Sequence, residues 1–299
     1  MLIPPLYPAV AYRGRFAPSP SGQLHLGSLL TALGSWLDAR AAGGEWLLRI
    51  EDIDPPREQP GAAAQIQQQL HDHGLYWDRD ILWQSQRSAA YQAVLTHLQQ
   101  QQLAYICRCS RKQIKQQGGH NGPWCRSQQH AAPGAWRLAN QHPCQQFDDL
   151  HYGQVTIDPS LAMEDVVLLR SDGLWGYPLA VVADDLAQGI SHVVRGADLL
   201  AATAPQLALI TALNATAPHY LHLPLVVTRP GVKLSKQNHA PAIDGRTATA
   251  NLRLALRLLG LPPAATLAGS NCHSLLEWAV AHYQRQQLPP QQELQPSAE

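Results

Sequence analysis

Apolar and polar positions change period along this chain, and the changes outline its elements. Arg13 to Ala17 (RGRFA) reads as a short strand, followed by a loop broken by Pro18, Pro20 and Gly22. Leu26, Leu29, Leu30, Leu33 and Leu37 then form an i, i+3, i+4, i+7 stripe, the signature of one buried helical face. Gly43 and Gly44 supply a stop. Glu45 to Ile50 (EWLLRI) is a mostly apolar run, a buried strand, so the chain opens β-α-β with a parallel sheet. That strand ends in Glu51-Asp52-Ile53-Asp54 and Pro55-Pro56, and helices are expected over Glu58 to His73 and Ser88 to Leu103.

From Leu103 to about Gly173 the rhythm is lost, as expected of an insertion within an α/β fold. Asp165 to Asp185 reads as a return to β structure around a turn at Ser171-Asp172-Gly173, with Tyr177 as a half-buried strand aromatic. Val193 to Asp198 is a strand end entering a helix, and Pro224 to Val227 is a short buried strand. A loop carrying Val232-Lys233-Leu234-Ser235-Lys236-Gln237 follows, then helices over Thr247 to Leu259 and Leu275 to Tyr283. Pro289 onward reads as a frayed tail. The expected division is 1–102 and 176–245 as two halves of a catalytic α/β domain, 103–175 as an insertion, and 246–299 as C-terminal helices with a disordered tail.

Composition narrows the partners. The chain has 299 residues with 22 Lys+Arg against 22 Asp+Glu, so any contact with nucleic acid must use a local patch. No apolar run reaches membrane-spanning length, and the proline-rich first twelve residues lack a basic leader, which points to a cytoplasmic protein with no membrane partner. Five cysteines, two of them as Cys107-x-Cys109, fit metal binding in a reducing compartment better than a disulfide framework.

Candidate chemistry gathers at the first helix. A strand feeding a glycine-bearing turn and a helix start presents free N–H groups and a positive dipole end to an anion. His25 and Gly27 stand there, although neither a GxxxxGK[ST] nor a GxGxxG motif is present. The acidic group at Glu51 lies beyond the carboxyl end of a strand, where ligands of open α/β sheets collect; a solvated turn capped by Asp54 is the alternative. Arg195 at a strand end suits a carboxylate or a surface ion pair. Cys107, Cys109 and Cys125 offer three soft ligands, with His120 a fourth donor nearby, and unrelated buried thiols are the alternative.

The stretch Arg15 to Ser35 (RFAPSPSGQLHLGSLLTALGS) together with Lys233-Leu234-Ser235-Lys236-Gln237 resembles the HIGH and KMSKS signatures of class I aminoacyl-tRNA synthetases, in the glutamyl and glutaminyl branch. Ser28 replaces the last His of HIGH. The CxC followed by a third Cys, and the short extent beyond KLSKQ, resemble the glutamyl-Q type over essentially the whole chain. The resemblance implies a Rossmann nucleotide-binding fold with a zinc-bearing insertion. It implies activation of L-glutamate with ATP and Mg²⁺, then transfer to queuosine-containing tRNA(Asp), by a monomer. It implies catalytic roles for His25, Lys233 and Lys236, and ATP contacts from His25, Gly27, Ser28 and Lys236. Glutamate contacts would come from Arg15, Phe16, Ala17, Pro18, Ser19, Glu51, Tyr177 and Arg195. The family places a tyrosine as fourth zinc ligand where this chain has Asn121, so His120 is the candidate, with water or an incomplete site as alternatives.

Three rivals share some of these features. A truncated glutamyl-tRNA synthetase would charge a tRNA 3′ end. An inactive synthetase-like module would bind a regulatory partner, and a nucleotidylyltransferase would share only an HxGH-like loop.

Overall fold

The structure is a computed structural model describing residues 2–120, 123–234 and 240–296. Its first half is β1 (Arg13–Phe16), α1 (Leu26–Ala41), β2 (Glu45–Ile50), α2 (Ala62–Asp72), β3 (Leu82–Trp83) and α3 (Ser88–Gln100). The three strands run parallel in the order β1-β2-β3, with Arg15 opposite Leu47. The predicted stripe of α1 faces inward, where Leu29, Leu30, Leu33 and Leu37 have no exposed surface. Full burial of each such side chain stabilises the fold by about 1.5–3 kcal/mol. Gly34 lets α1 approach the sheet closely, since a Cβ there would meet Leu223 Cδ1 at 2.5 Å.

The next stretch holds β4 (Ala104–Cys107), α4 (Arg111–Gln116), α5 (Pro123–Arg126), β5 (Ala135–Leu138), β6 (Gln146–Asp149), β7 (Gly153–Thr156), α6 (Pro159–Ala162) and β8 (Val167–Leu169). Strands β4, β5 and β8 form their own antiparallel sheet. The β6-β7 hairpin does not join it.

The rest is α7 (Tyr177–Gln188), β9 (His192–Gly196), α8 (Thr203–Ala212), β10 (His219–Leu223), β11 (Leu225–Arg229), β12 (Val232–Lys233), α9 (Ala248–Leu258), α10 (Cys272–His282) and β13 (Glu293–Leu294). Strands β9 and β10 pair in parallel, and β6 adds to β10, giving the order β7-β6-β10-β9. The two halves meet beside β1, where the Ser191 N–H donates to Arg13 O at 3.0 Å.

Two expectations need correction. Only Val167–Leu169 of the stretch Asp165 to Asp185 is strand, apart from a single bridge between Leu169 and Trp175; Tyr177 opens a helix instead. Pro178 in the first turn and Gly189 at φ +65° bracket that helix, and its apolar run is buried on nearly every side, which erases the period. The expected tail is also not frayed throughout, because Glu293–Leu294 pairs in parallel with Leu225 and Val226.

Candidate active site and metal centre

The loop from β1 into α1 positions the first group. His25 is the N-cap of α1: its Nδ1 accepts from the Ser28 N–H at 3.3 Å, while Ser28 Oγ accepts from the His25 N–H at 3.2 Å. An Nδ1 that accepts carries no proton, so the ring proton sits on Nε2 as a donor. Gly27 makes room for this ring, since a Cβ would stand 3.1 Å from His25 Cε1. Ser28, expected to touch ATP, is thus also part of the cap.

These residues open onto a cavity of about 260 Å³. It is lined by Arg15, Phe16, Ala17, Pro18 and Ser19 from the end of β1, Glu51 after β2, and Tyr177 at the start of α7. Arg195 of β9 and Lys233 of β12 complete the predicted set within the described residues, along with His25, Gly27 and Ser28. Parallel strands ending at one edge explain why residues so far apart in sequence converge. Lys233 Nζ lies 2.5 Å from Asp198 Oδ2 at the rim. Lys236 and Asn121 fall outside the described residues.

Charges in the cavity are balanced unevenly. Arg15 forks onto Asp185, at 3.0 Å from Nε and 3.3 Å from Nη2. Arg49, wholly buried, lies 2.8 Å from the same carboxylate and 3.7 Å from Glu51. Burial alone would raise the Asp185 carboxyl, but the Arg15 and Arg49 guanidiniums hold it below the usual range. Glu51 behaves oppositely: burial pushes it up to about 7, against the pull of Arg49 and Arg15, and its Oε1 has no hydrogen-bond partner. Arg195 is 4% exposed, and among the described residues no carboxylate lies within ion-pair distance of it. Burial lowers its pKa. The cavity therefore holds one buried cation without an anion and one buried carboxylate weakly compensated.

Sequence reasoning misses Asp185 and Arg49, the ion-paired neighbours of this cavity. The available signal is that Asp184-Asp185 interrupts an apolar run, and a buried carboxylate pair there needs cations. Asp184 serves packing, accepting from Gln84, Arg87 and Tyr91 and tying α7 to the segment leading into α3.

The insertion brings a second cluster together. One donor atom each from Cys107, Cys109, His120 and Cys125 lies within 4.8 Å of the others. Tetrahedral zinc with Zn–S near ~2.3 Å separates its ligands by about 3.8 Å, so this set fits the ion. His120 Nε2 faces Cys107 Sγ at 3.1 Å, and its Nδ1 faces Tyr105 Oη at 3.2 Å. Tyr105 in turn donates to Asp165 at 2.6 Å, the kind of outer partner that orients a ligating imidazole. Burial pushes the Cys125 thiol up to about 12, so the thiolates that ligate zinc need a cation to form. Cys144 and Cys272 lie outside the cluster.

Residues 11–266 match the family of tRNA synthetases class I (E and Q), catalytic domain. The chain is 48% identical over 299 aligned positions to a glutamyl-Q tRNA(Asp) synthetase of Colwellia psychrerythraea, covering 95% of each chain. It is 50% identical to one of Shewanella oneidensis, covering 96% of this chain and 95% of that one. Among solved structures, a glutamate tRNA ligase of Elizabethkingia meningosepticum superposes with a TM-score of 0.79 at 23% identity, over 97% of this chain and 68% of that one. That likeness shows the shared fold. No helix among the described residues is long and apolar enough to cross a membrane. The chain belongs to the class I tRNA synthetases of the E and Q type, a family of ligases, and within it to the glutamyl-Q tRNA(Asp) synthetases.

Proposed function

We propose that this enzyme activates L-glutamate with ATP, without RNA, and then transfers the glutamyl group to the queuosine base in the anticodon loop of tRNA(Asp). The observation that carries the amino-acid assignment is the pair Arg195 and Glu51. A buried guanidinium with no carboxylate in ion-pair distance among the described residues, and a buried carboxylate whose Oε1 has no hydrogen-bond donor, share one cavity. An acidic amino acid supplies both missing partners, its ammonium to Glu51 and a carboxylate to Arg195, with Arg15 and Tyr177 beside them. Glutamine would leave a guanidinium without its anion, so the site should reject it strongly.

In activation, an oxygen of the glutamate α-carboxylate attacks the α-phosphorus of ATP in line. The bond to the β-phosphate bridging oxygen breaks and pyrophosphate leaves. His25, donating from Nε2 at the mouth of α1, would stabilise charge on the phosphoryl oxygens. Lys233 and Lys236 would hold the phosphates from the opposite side. Mg²⁺ accompanying ATP would neutralise the leaving group. Zinc on the cysteine cluster would be structural, closing the insertion.

The RNA assignment rests on the named relatives and on charge distribution. From Ile81 to Phe147 the chain has no Asp or Glu at all, though it is neutral overall. Arg111, Lys112 and Lys115 of α4 are exposed there and form no ion pair among the described residues. We infer that this face meets phosphates, which supplies the local patch a neutral chain requires.

ATP–pyrophosphate exchange with glutamate and no RNA tests the first step. Labelling of matched tRNAs tests the second: only queuosine-containing tRNA(Asp) should take up glutamate. Equal labelling of tRNA lacking queuosine would favour charging of a 3′ end instead.

A further inference from the structure

The guanidinium of Arg195 is oriented by groups that carry no charge. Its Nε donates to His222 Nε2 at 3.0 Å, Nη1 to Gln206 Oε1 at 2.8 Å, and Nη2 to Thr203 Oγ1 at 2.7 Å and to Leu199 O at 3.3 Å. Four of its five N–H bonds are thereby used, leaving one on Nη1. A guanidinium can only donate, so His222 Nε2 must present a lone pair, and the ring proton sits on Nδ1. There it meets Asp149 Oδ2 at 2.7 Å. Asp149 is itself held by the backbone N–H groups of His151, Tyr152 and His222.

Strand pairing creates this chain of contacts. Arg195 and His222 are register partners on β9 and β10, and Asp149 ends β6, which lies on the other side of β10. Both His222 and Asp149 are buried, at 0% and 4% exposure.

We propose that His222 and Asp149 are positioning residues for amino-acid recognition: the carboxylate fixes the imidazole tautomer, and the imidazole aims Arg195 without neutralising it. The contrast with Arg15 and Arg49 gives the reason. Those two guanidiniums share Asp185 directly, whereas Arg195 keeps its charge for a ligand because its carboxylate stands one imidazole away. The proposal rests on the reading of Arg195 as a ligand for the acidic amino acid.

The test is glutamate-dependent ATP–pyrophosphate exchange on full-length His222→Leu, His222→Gln and His222→Glu, with glutamate and ATP varied separately. His222→Leu should raise KM for glutamate at least ten-fold and leave KM for ATP within two-fold. His222→Gln, whose carboxamide oxygen can still accept from Nε, should recover most of that loss. His222→Glu places an anion on Arg195 and should be the worst of the three for glutamate. Unchanged KM for glutamate in His222→Leu, or equal losses for glutamate and ATP in all three, would overturn the proposal. Should His222→Leu fail to fold, by circular dichroism and thermal melting, the Gln and Glu variants decide between the same outcomes. Absence of glutamate-dependent exchange in the unmodified enzyme would instead sink the activation reading, leaving tautomer control of Arg195 to be checked by the His222 Nδ1–H resonance, expected in the unmodified protein and lost or shifted in Asp149→Asn; no such resonance would refute it.

Discussion

The cavity around Arg195 and the cysteine cluster of the insertion both bury chemically active groups, yet they hold them differently. In the cavity, Glu51 and Arg195 sit at the ends of separate strands, each braced by its own neighbours, so the mismatch survives without a ligand. In the cluster, four donors converge within 4.8 Å on short elements, and burial raises the Cys109 and Cys125 thiols. The first, on the function proposed above, would be a preorganised site for a transient guest. The second is a set of soft donors that a resident ion such as zinc would close.

The largest effect expected from breaking this contrast is at Arg195. Arg195→Leu should cut kcat/KM for glutamate on the order of 100-fold or more, since removing one partner of a buried charge pair costs about 2–5 kcal/mol. KM for ATP should stay near its original value, and a loss below ten-fold would remove Arg195 from the pocket. Metal removal comes next. Cys125→Ser should purify without stoichiometric zinc and melt several degrees lower, with tRNA labelling lost but glutamate exchange kept within about three-fold. A matching collapse of exchange would mean that the two regions are not independent.

Glu51 sharpens the contrast through pH. Its carboxyl, pushed up to about 7 by burial, must lose a proton before it can receive an ammonium. Below that pH, KM for glutamate should climb about ten-fold per unit, and steady-state exchange between pH 5.5 and 8 measures it. The stability sign is the reverse. A carboxyl raised above its unfolded value binds its proton more tightly when folded, so its stabilising contribution is full below the ordinary carboxylate range and is lost as pH rises through about 7. Glu51→Gln should therefore melt higher than the parent at pH 8, with the gap closing toward pH 4.5; a constant gap would contradict the assignment. The smallest effect belongs to the exposed face of α4. Changing Arg111, Lys112 and Lys115 together to Gln should leave exchange unaltered and flatten the salt dependence of tRNA labelling by about 0.7–0.9 for each phosphate no longer neutralised. An unchanged slope would take the phosphates elsewhere.

Much of this is legible in the order of residues. The leucine stripe of α1 needs one buried face, and that places His25 at the helix mouth whatever surrounds it. Cys107, Cys109 and Cys125 are soft donors that suit a metal such as zinc, and His120 joins them in the cluster. Tyr177 passes for a strand residue because a helix buried on nearly every side has no period to display. The role of Asp149 is invisible along the chain, since it lies 73 positions from His222 and meets it only across β10.

The sequence by itself determined the β-α-β opening, the helix start at His25 and a supply of soft donors in the insertion, because periodicity, capping and thiol chemistry are local properties. Only the tertiary structure decided which arginine is left without a carboxylate among the described residues. That depends on strand order and register, which give Arg15 and Arg49 a carboxylate and Arg195 an imidazole. Charge compensation in a buried site is settled by neighbours in space, and no spacing along the chain encodes them.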